Sequence, residues 1–300
     1  MVRFPYQMEE AMSQVPTIQQ FFQQFPDDDA CLDYLMVLRY GEVLECPKCL
    51  KTGHFTRLKK LPAYACPWCG HHIHPMVGTP FHRSHVSLQK WFYAMYLFTT
   101  TRHGVPAKEL QRQLGVSYPT AFRMAHKIRD YMGHLDGKPP LTGHVEADET
   151  YIGGVVKGGK KYGITGRGAN KTVVFGILER GGELYTEVVP DASRKSLIPP
   201  IQRNCPPGTT ISTDEWMPYR NLSKLGYDHH MVEHGRKEYA RGSVHVNTLE
   251  AFWSMLKRSI RGTHIHVSAK HLPKYLGEFE YRYNLRKNPG QMFPKLLASL

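Results

Sequence analysis

The chain lacks any apolar run of the roughly 18 to 20 residues that a bilayer-spanning helix needs. Its longest apolar-looking stretch, Trp91 to Phe98, is far shorter. This excludes membrane-spanning helices. Nor does the chain start with basic residues followed by an apolar core; Glu9, Glu10 and several Gln stand there instead. No secretory signal is therefore expected. Acids are scarce beside bases, 26 Asp and Glu against 39 Lys and Arg, which leaves a formal net charge of +13 and a pI of about 9.4. That imbalance favours a polyanionic partner, because Lys and Arg next to phosphates displace condensed counterions. The Gly- and Lys-rich run from Gly153 to Lys171 lacks the G-x4-G-K-[ST] order of a phosphate-binding P-loop. The 17 histidines are scattered and form no H-E-x-x-H, and no internal repeat is visible. Cysteine is sparse, six in 300 residues, and four of the six form two tight pairs. In an intracellular chain that usage points to metal binding and away from disulfides.

A hydrophobic fraction of 41% supports real cores. The length allows two or three domains. Residues 17–40 have helical periodicity, with Ile18, Phe21 and Phe22 on one stripe and Leu32, Leu35, Met36 and Leu38 on another. "PDDDA" supplies a break and an acidic helix start. The lone Cys31 reads as a small buried apolar residue. "LQKWFYAMYLFTT" reads as an aromatic-rich helix whose rings form core. "GKPPLTG" (Gly137 to Gly143) is a linker by composition and the main domain boundary. Beyond it the pattern changes to strands at His144 to Ile152, Lys171 to Glu179 and, after a Gly181-Gly182 turn, "ELYTEVVP". A short helix "SRKSLIPPIQ", a strand "TTISTDEW" and long amphipathic helices over Val246 to Ile260 and His271 to Leu285 complete a mixed α/β pattern. Cys205, beside Pro206-Pro207, carries no assignment.

"CPKC" and "CPWCG" place Cys46, Cys49, Cys66 and Cys69 as two C-x2-C turns with sixteen residues between the pairs. Two such turns deliver the four soft ligands of a tetrahedral, structural Zn²⁺. Gly70 lets the second turn close. Val105 to Met132 has the proportions of a helix-turn-helix: one helix over Ala107 to Leu114, a turn at Gly115-Val116-Ser117, and a second helix from Pro119. If it reads DNA, the second helix offers Tyr118, Thr120, Arg123, His126 and Lys127 to a groove; the plainer reading is a helical hairpin packed between domains.

Asp148 lies inside a strand-like run and Asp214 at the end of another, while Glu250 sits on a helix, with D-x35-E from Asp214 to Glu250. A charge inside a strand beside apolar residues needs a reason. Hard cations take oxygen ligands. Two carboxylates at strands and one on a helix can converge on a pair of Mg²⁺ or Mn²⁺ ions suited to phosphodiester displacement. Asn247, Glu250, Ser254 and Lys257 share one helix face, with Phe252, Trp253, Leu256 and Ile260 on other sides. Lys257 would meet a phosphate. Taken singly, each acid reads as a surface charge or a cap.

Here the chain resembles insertion-sequence transposases of the ISXO type. The resemblance rests on "CPKC…YACPWCG", "GTPFHRSHVSLQKWF", "VEADETYIGG", "STDEWMPY", "VHVNTLEAFWSMLKRSIRG" and "HLPKYLGEFEYRYNLR", which span residues 45–287. The patterns above divide the chain into an N-terminal helical segment (1–43), a zinc ribbon (44–84), a helical domain with the helix-turn-helix (85–138) and an α/β core (139–300), and the resemblance implies that this core is an RNase H-like DDE core with divalent metal. It also implies cut-and-join chemistry on transposon ends. Some members are described with Asn as the third catalytic position. Glu250 is expected to be that ligand here, because a carboxylate binds Mg²⁺ better than an amide and E-x6-K fits the wider DDE pattern; Asn247 is the alternative. The expected partners are double-stranded DNA, both terminal inverted repeats and target, and further copies of the chain on that DNA, in a cytoplasmic, nucleoid-associated setting. Two other readings stay open, a DNA-binding regulator with a decayed core and a nuclease that cuts without joining. The basic segments Gly153 to Lys171 and Glu233 to Gly242 read either as mobile loops or as flaps that grip DNA.

Overall fold

The structure, a computed structural model, describes residues 15–135, 140–153, 171–232 and 245–299. The two basic segments just named lie outside them, apart from Gly153 and Lys171. The fold divides into two compact units. One is the chain up to Tyr131 together with the segment from Leu285 onward; the other is Met132–Asn284. No helix among the described residues is long and apolar enough to cross a membrane.

In the first unit, α1 (Ile18–Gln24) and α2 (Asp28–Tyr40) are separated at the expected break. Asp27 caps α2, its carboxylate accepting the Ala30 N–H at 2.8 Å. α3 (Leu88–Thr100) buries Trp91, Phe92, Tyr96 and Phe98. Its rings meet Phe21, Phe25 and Phe293 at centroid distances of 4.9 to 6.0 Å. Of the stripe expected on α1 only Phe21 is buried; Ile18 and Phe22 are exposed. Phe293 belongs to the last helix, α9 (Met292–Ala298), whose Met292, Phe293, Leu296 and Leu297 are buried. Those apolar side chains give the C-terminal segment a place in the aromatic core of this unit, whereas residues 139–300 were expected to form one domain.

α4 (Ala107–Leu114) ends on Gly115 in the left-handed region (φ 61°), and α5 (Tyr118–His134) follows. Arg129 is buried, donates to the Val105 carbonyl at 2.9 Å and lies 5.0 Å from the Phe98 ring. One charged side chain thus fastens α5 to α3 and to the chain leading into α4. Between α2 and α3 lie five two-residue strands. β1 (Leu44–Glu45) pairs with β2 (Thr52–Gly53), while β3 (Thr56–Arg57), β4 (Tyr64–Ala65) and β5 (His72–Ile73) form a three-stranded antiparallel sheet.

The second unit is built on a five-stranded sheet: β6 (His144–Ile152), β7 (Thr172–Glu179), β8 (Leu184–Val189), β9 (Thr210–Asp214) and β10 (Asp228–Val232), in the order β10-β9-β6-β7-β8. β6, β7 and β8 are antiparallel neighbours; β9 and β10 run parallel to β6. Strand alternation sorts the side chains cleanly. Val145, Ala147, Val173, Phe175 and Ile177 face one side, under α6 (Arg194–Asn204) with Leu197 and Ile201. Val174, Leu178 and Leu184 face the other, under α7 (Asn247–Ser259) and α8 (Leu272–Asn284), whose Leu249, Phe252, Trp253, Leu256, Leu276 and Phe279 fill that core. The free edge of β8 is covered by α8. The Asn284 amide donates to the Leu184 carbonyl at 3.0 Å and accepts its N–H at 2.8 Å, and Glu280 accepts the Thr186 N–H at 3.0 Å.

Candidate active site and metal-binding residues

The four cysteines meet as expected. Among the described residues they are the only group of three or more Cys, His, Asp or Glu whose ligand atoms all lie within 4.8 Å of one another. Two equivalent turns build the group. The Cys46 N–H donates to the Lys51 carbonyl and the Cys66 N–H to the His71 carbonyl. The residue after each second cysteine, Leu50 or Gly70, is left-handed, at φ 59° and 69°. Sulfur separations of 3.6 Å (Cys46–Cys69) and 3.7 Å (Cys49–Cys66) match the roughly 3.8 Å edge of a tetrahedron with 2.3 Å Zn–S bonds. The thiolate donors and the closed spacing fit zinc. The four-residue set leaves no ligand position for His54, His71, His72 or His74. Arg57 and Tyr64 tie the ribbon to α2 through Asp29 and Asp33.

In the second unit, β6 and β9 pair from His144↔Thr210 to Glu146↔Ser212 and no further. The same register carried two residues on sets Asp148 beside Asp214, where the strands part. Even-numbered positions of β6 face α7, so Glu146 and Asp148 both look toward that helix. Asp148 Oδ2 accepts the Trp253 indole N–H at 3.1 Å. Asp214 Oδ1 accepts the Trp216 backbone N–H at 3.0 Å. The Asp148 carboxyl is held well above the usual carboxylate range, first by burial, then by the charges of Glu149, Asp214 and Glu250. Asp214 and Glu250 are thus close enough to Asp148 to act on it electrostatically. Unlike the cysteine sulfurs, the oxygens of these three carboxylates do not all lie within 4.8 Å of one another. Asn247, Glu250 and Ser254 are exposed along one side of α7, and Lys257 is half-buried on the same side. Burial lowers the Lys257 pKa while the charge of Asp148 opposes that shift. The oxygen donors fit a hard divalent cation, and a cation there would relieve the repulsion acting on Asp148.

Four further side chains around the site, Glu146, Arg180, Tyr219 and His229, carry no mark in the local sequence pattern strong enough to single them out. Glu146 is fully buried and accepts the Leu249 N–H at 3.0 Å and the Thr248 hydroxyl at 2.9 Å. It thereby caps α7 from the sheet. Arg180 pairs with it at 2.8 Å and donates to the His245 carbonyl at 2.7 Å. On the opposite face the Tyr219 hydroxyl donates to Glu149 at 2.8 Å. His229 lies 2.9 Å from the Thr213 hydroxyl, which donates to the Asp214 carbonyl; burial first, then His230, lowers its pKa to about 4. Alternation of acids with apolar residues in "VEADETYI" was the available signal for Glu146; nothing local marks its partners.

On α5 the expected contact residues divide. Tyr118 and Arg123 are exposed, with the Lys108 ammonium 4.8 Å from the Tyr118 ring. The Thr120 hydroxyl is engaged with Ser117 at 2.9 Å. Lys127 donates to the Pro80 carbonyl at 3.1 Å. His126 is buried, its ring 4.1 Å from that of Phe122. Phe122 is exposed beside Arg123.

The four-cysteine ribbon and the acid-bearing sheet each have a counterpart among known families. The ISXO2-like transposase domain matches residues 140–284, and the transposase zinc-ribbon domain matches residues 26–72. Over these two stretches the chain is similar to ISXO2-like transposases. It is 28% identical, over 89% of its own length and 94% of the relative's, to a protein named as uncharacterized in transposable element ISH50 of Halobacterium salinarum. It is also 28% identical to a transposase-like protein of Haemophilus influenzae, over 34% of this chain and 81% of that one. No solved structure matches the chain.

Proposed function

We propose that this chain is a DDE-type DNA transposase that hydrolyses the phosphodiester bond at a transposon end and then joins the freed strand to target DNA. The observation that carries this reading is the parting of β6 and β9 beyond Glu146 and Ser212, with Asp148 and Asp214 on the parted strands and Glu250 and Lys257 on the helix above. The strand order, three antiparallel strands followed by two parallel to the first, supports an RNase H-like core. Asp148, Asp214 and Glu250 would hold two Mg²⁺ or Mn²⁺ ions, which when bound lower the pKa of water and neutralise charge on the scissile phosphate. Glu250 is favoured over Asn247 because a carboxylate offers a divalent cation a negative charge and two oxygens, an amide one neutral oxygen. Lys257 steadies a phosphate oxygen. In hydrolysis a water oxygen bonds to phosphorus, and the 3′-oxygen leaves and takes up a proton. In joining, that 3′-hydroxyl attacks a target phosphodiester and releases the target's own 3′-oxygen.

The ribbon and the helix pair α4–α5 serve as the DNA-binding part, acting on the terminal inverted repeats from a cytoplasmic, nucleoid-associated pool, with more than one copy on the DNA. Tyr118 and Arg123 present the surface for that contact, while Thr120 and Lys127 support the helix. The test is Mg²⁺-dependent nicking and joining of a duplex carrying the element's end. Asp148→Asn and Asp214→Asn should each abolish cleavage and leave DNA binding intact. Glu250→Gln should do the same, and Asn247→Ala should be milder. If Glu250→Gln cuts normally while Asn247→Ala is dead, the third ligand is Asn247. Arg123→Ala should cost on the order of 1–3 kcal/mol in preference for the cognate end. Nicking by none of the forms, wild type included, would point to a regulator with a decayed core, and cutting without joining to a nuclease.

A further inference from the structure

Within β7, "TVVFGILE", a lone glycine interrupts residues otherwise suited to a strand. Glycine inside a strand weakens it, and where it stands it often marks the close approach of another group. Gly176 is absent from the positive-φ positions, so its backbone does not require glycine. Space does. A Cβ at Gly176 would stand 2.5 and 2.7 Å from two atoms of the Trp253 ring and 3.2 Å from Leu249 Cδ1. Real Cβ atoms do not sit that close to an aromatic carbon. Gly176 is also the register partner of Asp148 on the adjoining strand. The missing side chain therefore opens a gap on the α7 face immediately beside Asp148, and the Trp253 ring occupies it. Trp253 is buried, with Phe252 against it at a centroid distance of 5.3 Å. Seated there, its indole N–H reaches Asp148 Oδ2 at 3.1 Å.

We propose that Trp253 is a positioning residue of this active site: its indole N–H holds the Asp148 carboxylate in the orientation that receives a divalent cation, and Gly176 is the gap that admits the ring. The inference rests on the reading of Asp148 as a metal ligand. An indole N–H suits this task because it only donates. It cannot compete for the cation, and it occupies one of the carboxylate's several acceptor sites, leaving the others open. It also comes from α7, the helix that carries Glu250 and Lys257. One hydrogen bond therefore fixes the orientation of Asp148 relative to the two other groups of the site.

The experiment uses the full-length, zinc-loaded protein without DNA and measures Mn²⁺ binding by the electron paramagnetic resonance signal of the free ion. Trp253→Phe keeps most of the ring and removes the N–H. It should weaken Mn²⁺ binding roughly ten- to a hundredfold, the range for losing a group that orients a metal ligand. The Mn²⁺ concentration for half-maximal nicking should rise by a similar factor, while DNA binding stays near that of the wild type; the melting temperature of the metal-free protein falls, because the smaller ring leaves part of its buried site empty. Replacing Trp253 by benzothienylalanine, which keeps the bicyclic shape and exchanges N–H for sulfur, should give the same loss and separates it from any packing defect of the phenyl ring. Gly176→Ala should reproduce the binding defect with a lower melting temperature. Wild-type Mn²⁺ affinity in the benzothienylalanine protein would overturn the proposal. Asp148→Asn is the control: if it binds Mn²⁺ normally, the reading of Asp148 itself falls; if it loses binding while the indole replacement does not, only the role of Trp253 falls.

Discussion

The two candidate metal sites are assembled in opposite ways. The cysteine site takes all four ligands from two short turns within 24 residues of chain, and each turn brings its own pair of backbone hydrogen bonds. Its sulfurs already sit at tetrahedral spacing. The acidic site draws on β6, β9 and α7, elements far apart in sequence, and its carboxylates repel one another. The first arrangement suits an ion that stays and holds the chain together; the second leaves room for reactants and stays electrostatically tense until a cation enters.

The largest break in this comparison should come from removing the zinc. Structural zinc in small domains is worth about 10–16 kcal/mol of apparent binding free energy, most of it folding free energy. Chelation, Cys46→Ser or Cys69→Ser should therefore unfold the ribbon between about residues 44 and 73. Hydrogen exchange should show those amides losing protection while β6 to β8 keep theirs. Elemental analysis finding no zinc in protein purified without chelator would sink the idea.

Next in size is Glu146. Its carboxylate is buried, paired with Arg180 and spent on the N–H and hydroxyl that open α7. Glu146→Ala removes the carboxylate from the Arg180 guanidinium, which keeps its bond to the His245 carbonyl, and leaves the helix end uncapped, at a cost of about 3–5 kcal/mol. Denaturant unfolding of the isolated variant checks this. A loss within 1 kcal/mol of zero, an order-of-magnitude threshold, would mean that water or another group takes over the cap.

The smallest effect runs the other way. The folded-state pKa of Asp148 lies above the unfolded value of about 3.9, so between the two the folded protein holds one proton more. Stability of the metal-free protein should therefore fall as pH rises from about 4 through that raised pKa. Asp148→Asn should remove this part of the slope and melt higher than wild type at neutral pH without divalent metal. Identical pH–stability curves for the two proteins would show that Asp148 carries no such cost. Adding Mg²⁺ should narrow the difference, because only the wild type gains a partner for its charge.

Much of the fold could be read from local pattern. β6 occupies His144–Ile152 and α4 Ala107–Leu114, as periodicity and the Gly115 stop require, and the chain turns at Gly181-Gly182. β10 was invisible because "DHHMV" is a polar edge strand whose pairing is entirely with β9. α9 was missed because "MFPKLLA" is short and carries a proline, and the aromatic partners that hold it are more than 190 residues away in sequence. At the site, Asp148, Asp214 and Glu250 stood out as residue types in suggestive positions. The groups packed around Asp148, namely Glu146, Gly176 and Trp253, did not. Their roles depend on which side of a sheet each faces and on what crosses above it, and that is settled by pairing between distant segments.

The sealing of β8 has a consequence for how copies of this protein can associate. An open strand edge is a template on which a second chain can add by backbone hydrogen bonds alone. Here the Asn284 amide imitates the peptide group of a neighbouring strand at Leu184, and the Glu280 carboxylate takes the next available N–H at Thr186. The sheet is thus terminated from within on this side. A second chain therefore cannot extend the sheet by pairing with Leu184 and Thr186 of β8; a partner on this side would meet side chains of α8 instead.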